Sequence, residues 1–156
     1  MSDASGARAK LAELGIELPP VTPPLAAYVP AVRTGNHVYV SGQVPMVDGQ
    51  VVATGKVGAE VTPERAKELA RRSAVQLIAV VDDLVTIERV VRVVKVVGFV
   101  ASAPGFTGQP GVINGASELL GEVFGEAGRH ARSAVGVAEL PLGVPVEVEA
   151  IFEVRD

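Results

Sequence analysis

The sequence has no cysteine, no tryptophan and only two histidines among its 156 residues. Without thiols the chain has no disulfides, thiolate nucleophiles or cysteine-based metal centres, and two isolated histidines argue against a zinc site. Long hydrophobic runs are also missing, since runs such as residues 96–101 are far too short to cross a bilayer. The opening MSDASGARAKLAELG lacks the apolar segment and cleavage site of a signal peptide. We therefore expect a cytoplasmic protein with no membrane partner and no metal.

Basic residues are fewer than acidic ones: the chain has 14 Lys and Arg and 18 Asp and Glu, so its formal net charge is −4. This balance argues against nucleic acid as a main partner, since phosphate binding needs clustered Lys and Arg. Hydrophobic residues make up 48% of the chain and aromatic residues only 4%. A core of Val, Ala and Leu in a chain of this length is typical of one domain with helices packed on a sheet.

The N-terminal part of the chain differs from the rest. Residues 5–14 have a helical pattern with Leu11 and Leu14 on one side, and Gly15 ends it. An extended segment follows, forced by Pro19, Pro20, Pro23 and Pro24. We expect residues 1–27 to form an N-terminal extension on a single domain of residues 28–156.

Turn residues and hydrophobic periodicity divide that domain into strands and helices. A capping Thr62 followed by Pro63 predicts a helix that runs to about Leu84. The β-branched run of residues 90–101 predicts a central strand. The other predicted elements are a hairpin of residues 28–33 and 37–42, a short edge strand of residues 50–54, and a second helix of residues 110–124.

The last part of the chain predicts two strands, residues 130–138 and 144–154, joined as a hairpin by a Pro- and Gly-containing turn. Glu147, Glu149 and Glu153 have even spacing in the second strand and therefore share one face. Arg132 is the one charged residue in an otherwise small and apolar stretch, where an unpaired charge is costly.

Arg132 has two interpretations: it binds an anionic ligand, or it pairs with a carboxylate of the last strand. In the predicted hairpin Arg132 lies opposite about Ile151, four residues from Glu147. Because four residues of strand span about 13 Å, the hairpin disfavours a direct Arg132–Glu147 pair. A planar guanidinium grips a carboxylate bidentately, which favours an anionic ligand.

Together these elements predict an α+β, two-layer domain in which two helices cover one face of a mixed sheet. The other face is open and rich in valine, and burial of such a surface is worth about 25 cal/mol per Å². We therefore expect self-association into a closed ring.

Several motifs resemble the RidA (YjgF) family of imine/enamine deaminases, and their sequences are most similar to a divergent bacterial branch of that family. They are TGNHVYVSGQVP, VVRVVKVVGFVAS, GFTGQPGVINGASELLGEVFGEAGRHARS and HARSAVGVAELPLGVPVEVEAI. The resemblance spans about residues 25–155 and implies a chorismate-mutase-like fold and a homotrimer with clefts between subunits. It also implies hydrolysis of 2-imino or 2-enamino acids to 2-oxo acids and ammonia, with no cofactor.

The resemblance assigns roles to five residues. Arg132 matches the arginine that holds the substrate carboxylate, and Glu147 matches the glutamate that positions the attacking water. Tyr28, Ser41 and Asn114 match substrate-binding positions. Three of these have a simpler interpretation: Glu147 is a solvated surface residue, Tyr28 is a packing residue, and Asn114 caps the second helix. Ser41 has no nearby histidine to activate it, which argues against a serine-hydrolase nucleophile.

The chain departs from the family pattern at two positions after Arg132. Ala134 stands where cysteine is common, and Gly136 stands where an acid is common. These departures motivate a second hypothesis, a non-catalytic module that binds a small carboxylate in the same cleft. A third activity of the family, ribonuclease, is disfavoured by the acidic balance of the chain.

Overall fold

The computed structural model describes residues 6–156, in which three α-helices accompany seven strands. The helices are α1 (Ala7–Glu13), α2 (Pro63–Val85) and α3 (Gln109–Phe124). The strands are β1 (Ala31–Thr34), β2 (His37–Gln43), β3 (Met46–Val47), β4 (Gln50–Val51), β5 (Val90–Ala101), β6 (Ala131–Val137) and β7 (Val146–Val154).

Five of the strands form one mixed sheet in the order β1-β2-β7-β5-β6. Strands β5 and β6 are parallel, and the other neighbours are antiparallel. Helices α2 and α3 cover one face, and their apolar residues form a single core with the sheet. The prediction of an α+β, two-layer domain with a mixed sheet is confirmed.

The predicted hairpin of the last two strands is wrong. Strand β5 lies between β6 and β7, so Arg132 has Val96 beside it and Val96 in turn has Ala150, not Ile151, beside it. The physical reason is the apolar β5, which gains burial from a neighbour on each side. Helix α3 crosses the sheet after β5 and returns the chain as a parallel strand, which leaves the other side of β5 to β7.

The N-terminal hairpin is confirmed as β1 and β2, but β1 begins at Ala31, so Tyr28 precedes the strand. The predicted edge strand of residues 50–54 begins where predicted, but it is shorter and lies outside the main sheet. Its first two residues form β4, which pairs only with β3 in a separate two-stranded ribbon. Asp48 and Gly49 connect the two with positive φ angles of 51° and 75°, which the Asp-Gly turn chemistry favours and which close the ribbon on itself.

Both long helices are confirmed, with a difference at one end. Thr62 caps α2 as predicted, since its Oγ1 accepts a hydrogen bond from the backbone N–H of Arg65 at 3.1 Å. Helix α3 starts at Gln109 with Gly108 as its N-cap. Asn114 therefore lies in the second turn of α3, and its interpretation as a helix cap is wrong.

Two glycines bring α3 close to its neighbours and fix its position. A Cβ atom added at Gly115 would lie 2.0 Å from the carbonyl oxygen of Lys67 in α2. A Cβ atom at Gly98 of β5 would lie 2.5 Å from the side chain of Ile113. Because α3 is held by α2 on one side and by the sheet on the other, side chains that it directs towards β6 have a defined position.

Helix α1 packs against the same core. Ala7 and Leu11 are 1% and 3% exposed, and Arg8 forms ion pairs with Asp82 and Glu88. Ser5, the first residue of the predicted N-terminal helix, lies outside the described residues. No helix between residues 6 and 156 is both long and apolar enough to cross a membrane.

Candidate functional site

Arg132 lies near the start of the edge strand β6, and its side chain reaches towards α3. Its Nη1 donates hydrogen bonds to Oδ1 of Asn114 at 2.7 Å and to Oγ of Ser117 at 3.2 Å. Asn114 and Ser117 are three residues apart in α3 and therefore share one face of the helix. The structure thus brings together Arg132 and Asn114, two of the five residues that the sequence indicated.

The rest of the guanidinium has no protein partner within residues 6–156. No carboxylate of that part of the chain lies within ion-pair distance of Arg132, so the alternative of a salt bridge with the last strand is wrong. The Nε and Nη2 groups of this partly buried arginine make no hydrogen bond there either. An unmatched guanidinium edge of this kind suits a bidentate carboxylate ligand.

A histidine continues the polar cluster behind Arg132. The Nε2 atom of His130 is 2.9 Å from Oγ of Ser117, and its Nδ1 atom is 2.6 Å from the carbonyl oxygen of Gly128. Burial lowers the pKa of His130, and the positive charge of Arg132 lowers it further, although the hydrogen bond to Gly128 opposes both. A lowered pKa keeps the imidazole neutral at neutral pH.

Glu147 lies on the open face of the sheet, where β7 passes the irregular end of β2. The pairing of β2 with β7 shifts between Val40 and Gln43, and a Cβ atom at Gly42 would lie 2.7 Å from Oε2 of Glu147. Gly42 therefore leaves the space that the carboxylate occupies. Burial raises the pKa of Glu147, with a smaller contribution from the charge of Glu149.

Ser41 and Tyr28 lie at the same end of β2 as Glu147. The hydroxyl of Ser41 donates to the carbonyl oxygen of Val29 at 2.8 Å, and its backbone N–H donates to the carbonyl oxygen of Pro30 at 2.8 Å. These bonds fasten the segment that carries Tyr28 beside β2. The side chain of Tyr28 is 56% exposed, so it is not a packing residue within the chain.

The five residues therefore form two separate groups in one chain. Arg132 is two strands away from β7, and it is level with Ala150, while Glu147 lies three residues further along. Strand spacing and rise place their Cα atoms about 14 Å apart. The two side chains also leave opposite faces, because Arg132 turns to the helix side and Glu147 to the open side. A single chain does not bring the guanidinium to the carboxylate.

The open face of the sheet is partly apolar and carries a depression of about 310 Å³ lined by β1, β2, β5 and β7. Val32, Tyr39 and Val135 are 52%, 47% and 44% exposed there, beside the row of carboxylates that was predicted for β7. Within residues 6–156, no three His, Cys, Asp or Glu side chains come together in a way that could hold a metal ion.

Neither Ser117 nor His130 was among the site residues that the sequence indicated. The spacing of Asn114 and Ser117 by three residues was a usable signal, but the contact with His130 depends on how α3 lies on β6.

The structure shows what surrounds Gly136, one of the two positions where the chain departs from the family pattern. A Cβ atom there would lie 2.7 Å from Nε2 of Gln109 and 3.0 Å from Oγ of Ser102, so these two side chains fill the space.

Comparison with known proteins identifies relatives of this chain. A family model described as endoribonuclease L-PSP matches residues 20–154. Protein TCP17 of Trypanosoma cruzi is 46% identical over 150 residues, which cover 95% of this chain and 94% of that protein. A 2-iminobutanoate/2-iminopropanoate deaminase of Dermatophagoides farinae is 33% identical over 141 residues, which cover 90% of this chain and 95% of that protein.

A solved structure extends the agreement to the fold. The crystal structure of the Agrobacterium tumefaciens protein Atu1372, whose function is unknown, matches with a TM-score of 0.89 and 44% identity over 97% of this chain and 96% of that one. The predicted fold class is thereby confirmed, and so is the family that the sequence motifs resemble. The chain belongs to the endoribonuclease L-PSP family, which is the YjgF/RidA family.

Proposed function

We propose that this protein hydrolyses reactive 2-imino and 2-enamino acids to 2-oxo acids and ammonia. The observation that carries the proposal is the partly buried guanidinium of Arg132, whose Nε and Nη2 groups have no partner within residues 6–156. Substrates of this class carry a carboxylate next to the reacting carbon, which is the group that such an edge binds best. The 33% identical mite deaminase supports the same reaction class.

Glu147 is the proposed base of the reaction. Its pKa is raised by burial, which brings it closer to neutrality and makes the carboxylate a better proton acceptor. As water attacks C2 of the protonated imine, Glu147 takes one proton and a carbinolamine forms. Glu147 then returns this proton to the nitrogen, the C–N bond breaks, and the C2 hydroxyl gives its proton to Glu147 as the C2–O bond becomes a carbonyl. The departing ammonia takes that proton from Glu147, so the products are the 2-oxo acid and ammonium. One water is consumed, and the reaction needs no cofactor.

The complete site lies between two copies of the chain in this proposal. Arg132 and Glu147 are too far apart in one chain to act on one small substrate, so the arginine of one subunit must face the glutamate of another. A closed ring of three copies also covers the exposed apolar residues of the open sheet face, including Val32, Tyr39 and Val135. The family resemblance implies three copies in such a ring, so the proposed assembly is a homotrimer with three equivalent clefts.

Three more residues complete the proposed cleft. Asn114 gives its Oδ1 to Arg132, which leaves its amide N–H groups to donate to the substrate. Tyr28 and Ser41 stand beside Glu147 and would contact the substrate from the other subunit. Cleavage of RNA is less well supported, because the glutamate row of β7 and the net charge of −4 repel phosphates.

The test is an assay of ammonia release from an imine generated in situ by an amino-acid dehydratase. Wild-type protein should accelerate release. Arg132→Ala should lower kcat/KM by about 100-fold, since it removes two charge-assisted hydrogen bonds. Arg129→Ala is the matched control: Arg129 is also close to the start of β6, but its side chain is 78% exposed and, among residues 6–156, forms an ion pair only with Glu126.

Absence of acceleration by wild-type protein would contradict the deaminase proposal. Calorimetric titration with 2-oxobutanoate and benzoate separates the remaining alternatives. Binding that Arg132→Ala abolishes, without any acceleration, would favour a non-catalytic carboxylate-binding module. Equal rates for Arg132→Ala and Arg129→Ala would remove Arg132 from the site.

A further inference from the structure

Ser117 and His130 link Arg132 to the backbone at Gly128 through a series of hydrogen bonds whose donors and acceptors can all be assigned. The carbonyl oxygen of Gly128 can only accept, so the Nδ1 atom of His130, 2.6 Å away, carries the ring proton. In a neutral ring the Nε2 atom then carries no proton and accepts a hydrogen bond from the Ser117 hydroxyl at 2.9 Å. The Ser117 oxygen in turn accepts from Nη1 of Arg132 at 3.2 Å. Each donor in this series of hydrogen bonds therefore has an acceptor.

Two members of this hydrogen-bond network, Gly128 and Ser117, lie on rigid parts of the fold. A Cβ atom at Gly128 would lie 2.2 Å from the carbonyl oxygen of Leu120, so the backbone at Gly128 touches α3 directly. Ser117 lies in α3, which close contacts at Gly98 and Gly115 hold in place. The lowered pKa of His130 supports the neutral ring that the chain of donors requires.

Arg132 uses the whole of Nη1 in these contacts. One N–H goes to Asn114 and the other to Ser117, and both bonds direct the guanidinium from the same face of α3. The edge formed by Nε and Nη2 is left, with its two N–H bonds parallel and without a partner within residues 6–156. This edge offers the spacing that a carboxylate needs for two hydrogen bonds.

We propose that Ser117 and His130 are positioning residues that lock the guanidinium of Arg132 so that its Nε–Nη2 edge faces the substrate carboxylate. The inference rests on the proposed function, since it assumes that Arg132 holds a carboxylate. An arginine side chain that is free to rotate loses conformational entropy each time a ligand binds. The hydrogen bonds of Ser117 and His130, here called the lock, order the side chain before the ligand arrives. Loss of the lock therefore weakens ligand binding more than it slows the chemical step.

The experiment measures benzoate affinity by calorimetry and imine hydrolysis by ammonia release on the same variants. Ser117→Ala and His130→Phe should raise both the Kd for benzoate and the KM about tenfold, with kcat within about twofold of wild type. Ser117→Thr keeps the hydroxyl and should restore Kd and KM to within about threefold of wild type. Thr107→Ala, which removes an exposed hydroxyl before α3, is the control and should behave as wild type.

The outcomes separate the inference from the proposed function. Wild-type affinity for benzoate in both Ser117→Ala and His130→Phe would overturn the lock and leave the deaminase standing. A fall in kcat and melting temperature at unchanged KM would identify a merely structural role and also overturn it. If wild-type protein neither binds benzoate nor accelerates hydrolysis, Arg132 is not a carboxylate clamp and both proposals fail together.

Discussion

The close approach of the two long helices gives a quantitative test of the fold. Gly115 of α3 faces the backbone of Lys67 in α2, and an added Cβ atom would lie 2.0 Å from that carbonyl oxygen and 2.9 Å from its carbon. Ordinary carbon–oxygen contacts are about 3.3–3.6 Å. The substitution Gly115→Ala therefore requires the helices to separate by about 1.3 Å at this point.

The cost of that separation follows from packing. A gap of 0.5–1 Å already removes about a quarter to a half of the dispersion energy between facing atoms, and overpacking in cores costs about 1–3 kcal/mol. Alanine in place of glycine in a helix gains at most about 1 kcal/mol in return. We expect Gly115→Ala to lower the free energy of unfolding by about 2 kcal/mol, which corresponds to a melting temperature about 4–8 °C lower.

Gly121→Ala is the matched control in the same helix. No atom lies within 4 Å of the position its Cβ would take, so this variant should gain about 0.5–1 kcal/mol from helix propensity alone. Urea unfolding of both variants at one fixed protein concentration measures the difference, which should be about 3 kcal/mol. Equal stability of the two variants would refute the inferred helix contact. Gly115→Ala should also weaken benzoate binding, because it displaces the neighbouring Asn114.

Three further predictions concern charge and the N-terminal helix. Glu147→Gln should abolish hydrolysis but leave the free energy of unfolding at pH 7 equal to or above that of wild type. Burial raises the pKa of Glu147, so its charged form costs stability as pH rises above the ordinary value of 4.5; urea unfolding at pH 4 and pH 7 checks this. Arg8→Ala should lower the free energy of unfolding at pH 7 by less than about 1 kcal/mol, because the ion pairs of Arg8 with Asp82 and Glu88 are largely exposed. Its effect should disappear as pH falls from 4.5 towards 2, since the hydrogen bond with Arg8 lowers the pKa of Glu88 to about 2; unfolding curves across that range test it. Leu11→Ala should lower the free energy of unfolding by about 2–5 kcal/mol, whereas the exposed Leu25→Ala should stay within about 0.5 kcal/mol of wild type.

Local chemistry in the sequence was enough to predict most of the elements. Thr62 and Pro63 marked the start of α2 because capping and the first-turn proline act within a few residues. The alternation along β7 showed which side chains face the core, since the pleat alone determines it. Arg132 was predicted to be a site residue because it is a single charge among small and apolar neighbours.

The contacts that the sequence did not reveal are those between distant segments. Residues 140–143 have the composition of a turn and do reverse the chain, but turn chemistry does not determine which strand lies beside which. That choice depends on the burial gained when β5 lies between β6 and β7. The hydrogen bond from Ser117 to His130 was missed for a similar reason, because it exists only when α3 lies across the start of β6.

The separation of Arg132 from Glu147 has a genetic consequence if clefts form between subunits. A chain that lacks Arg132 still supplies a working glutamate half to its neighbour, and a chain that lacks Glu147 still supplies a working arginine half. Substitutions in different halves can therefore complement one another, whereas two substitutions in the same half cannot. In a random equal mixture of the two defective chains, about one quarter of the clefts join two intact halves. In such an assembly, natural selection acts on pairs of neighbouring chains and not on one chain alone.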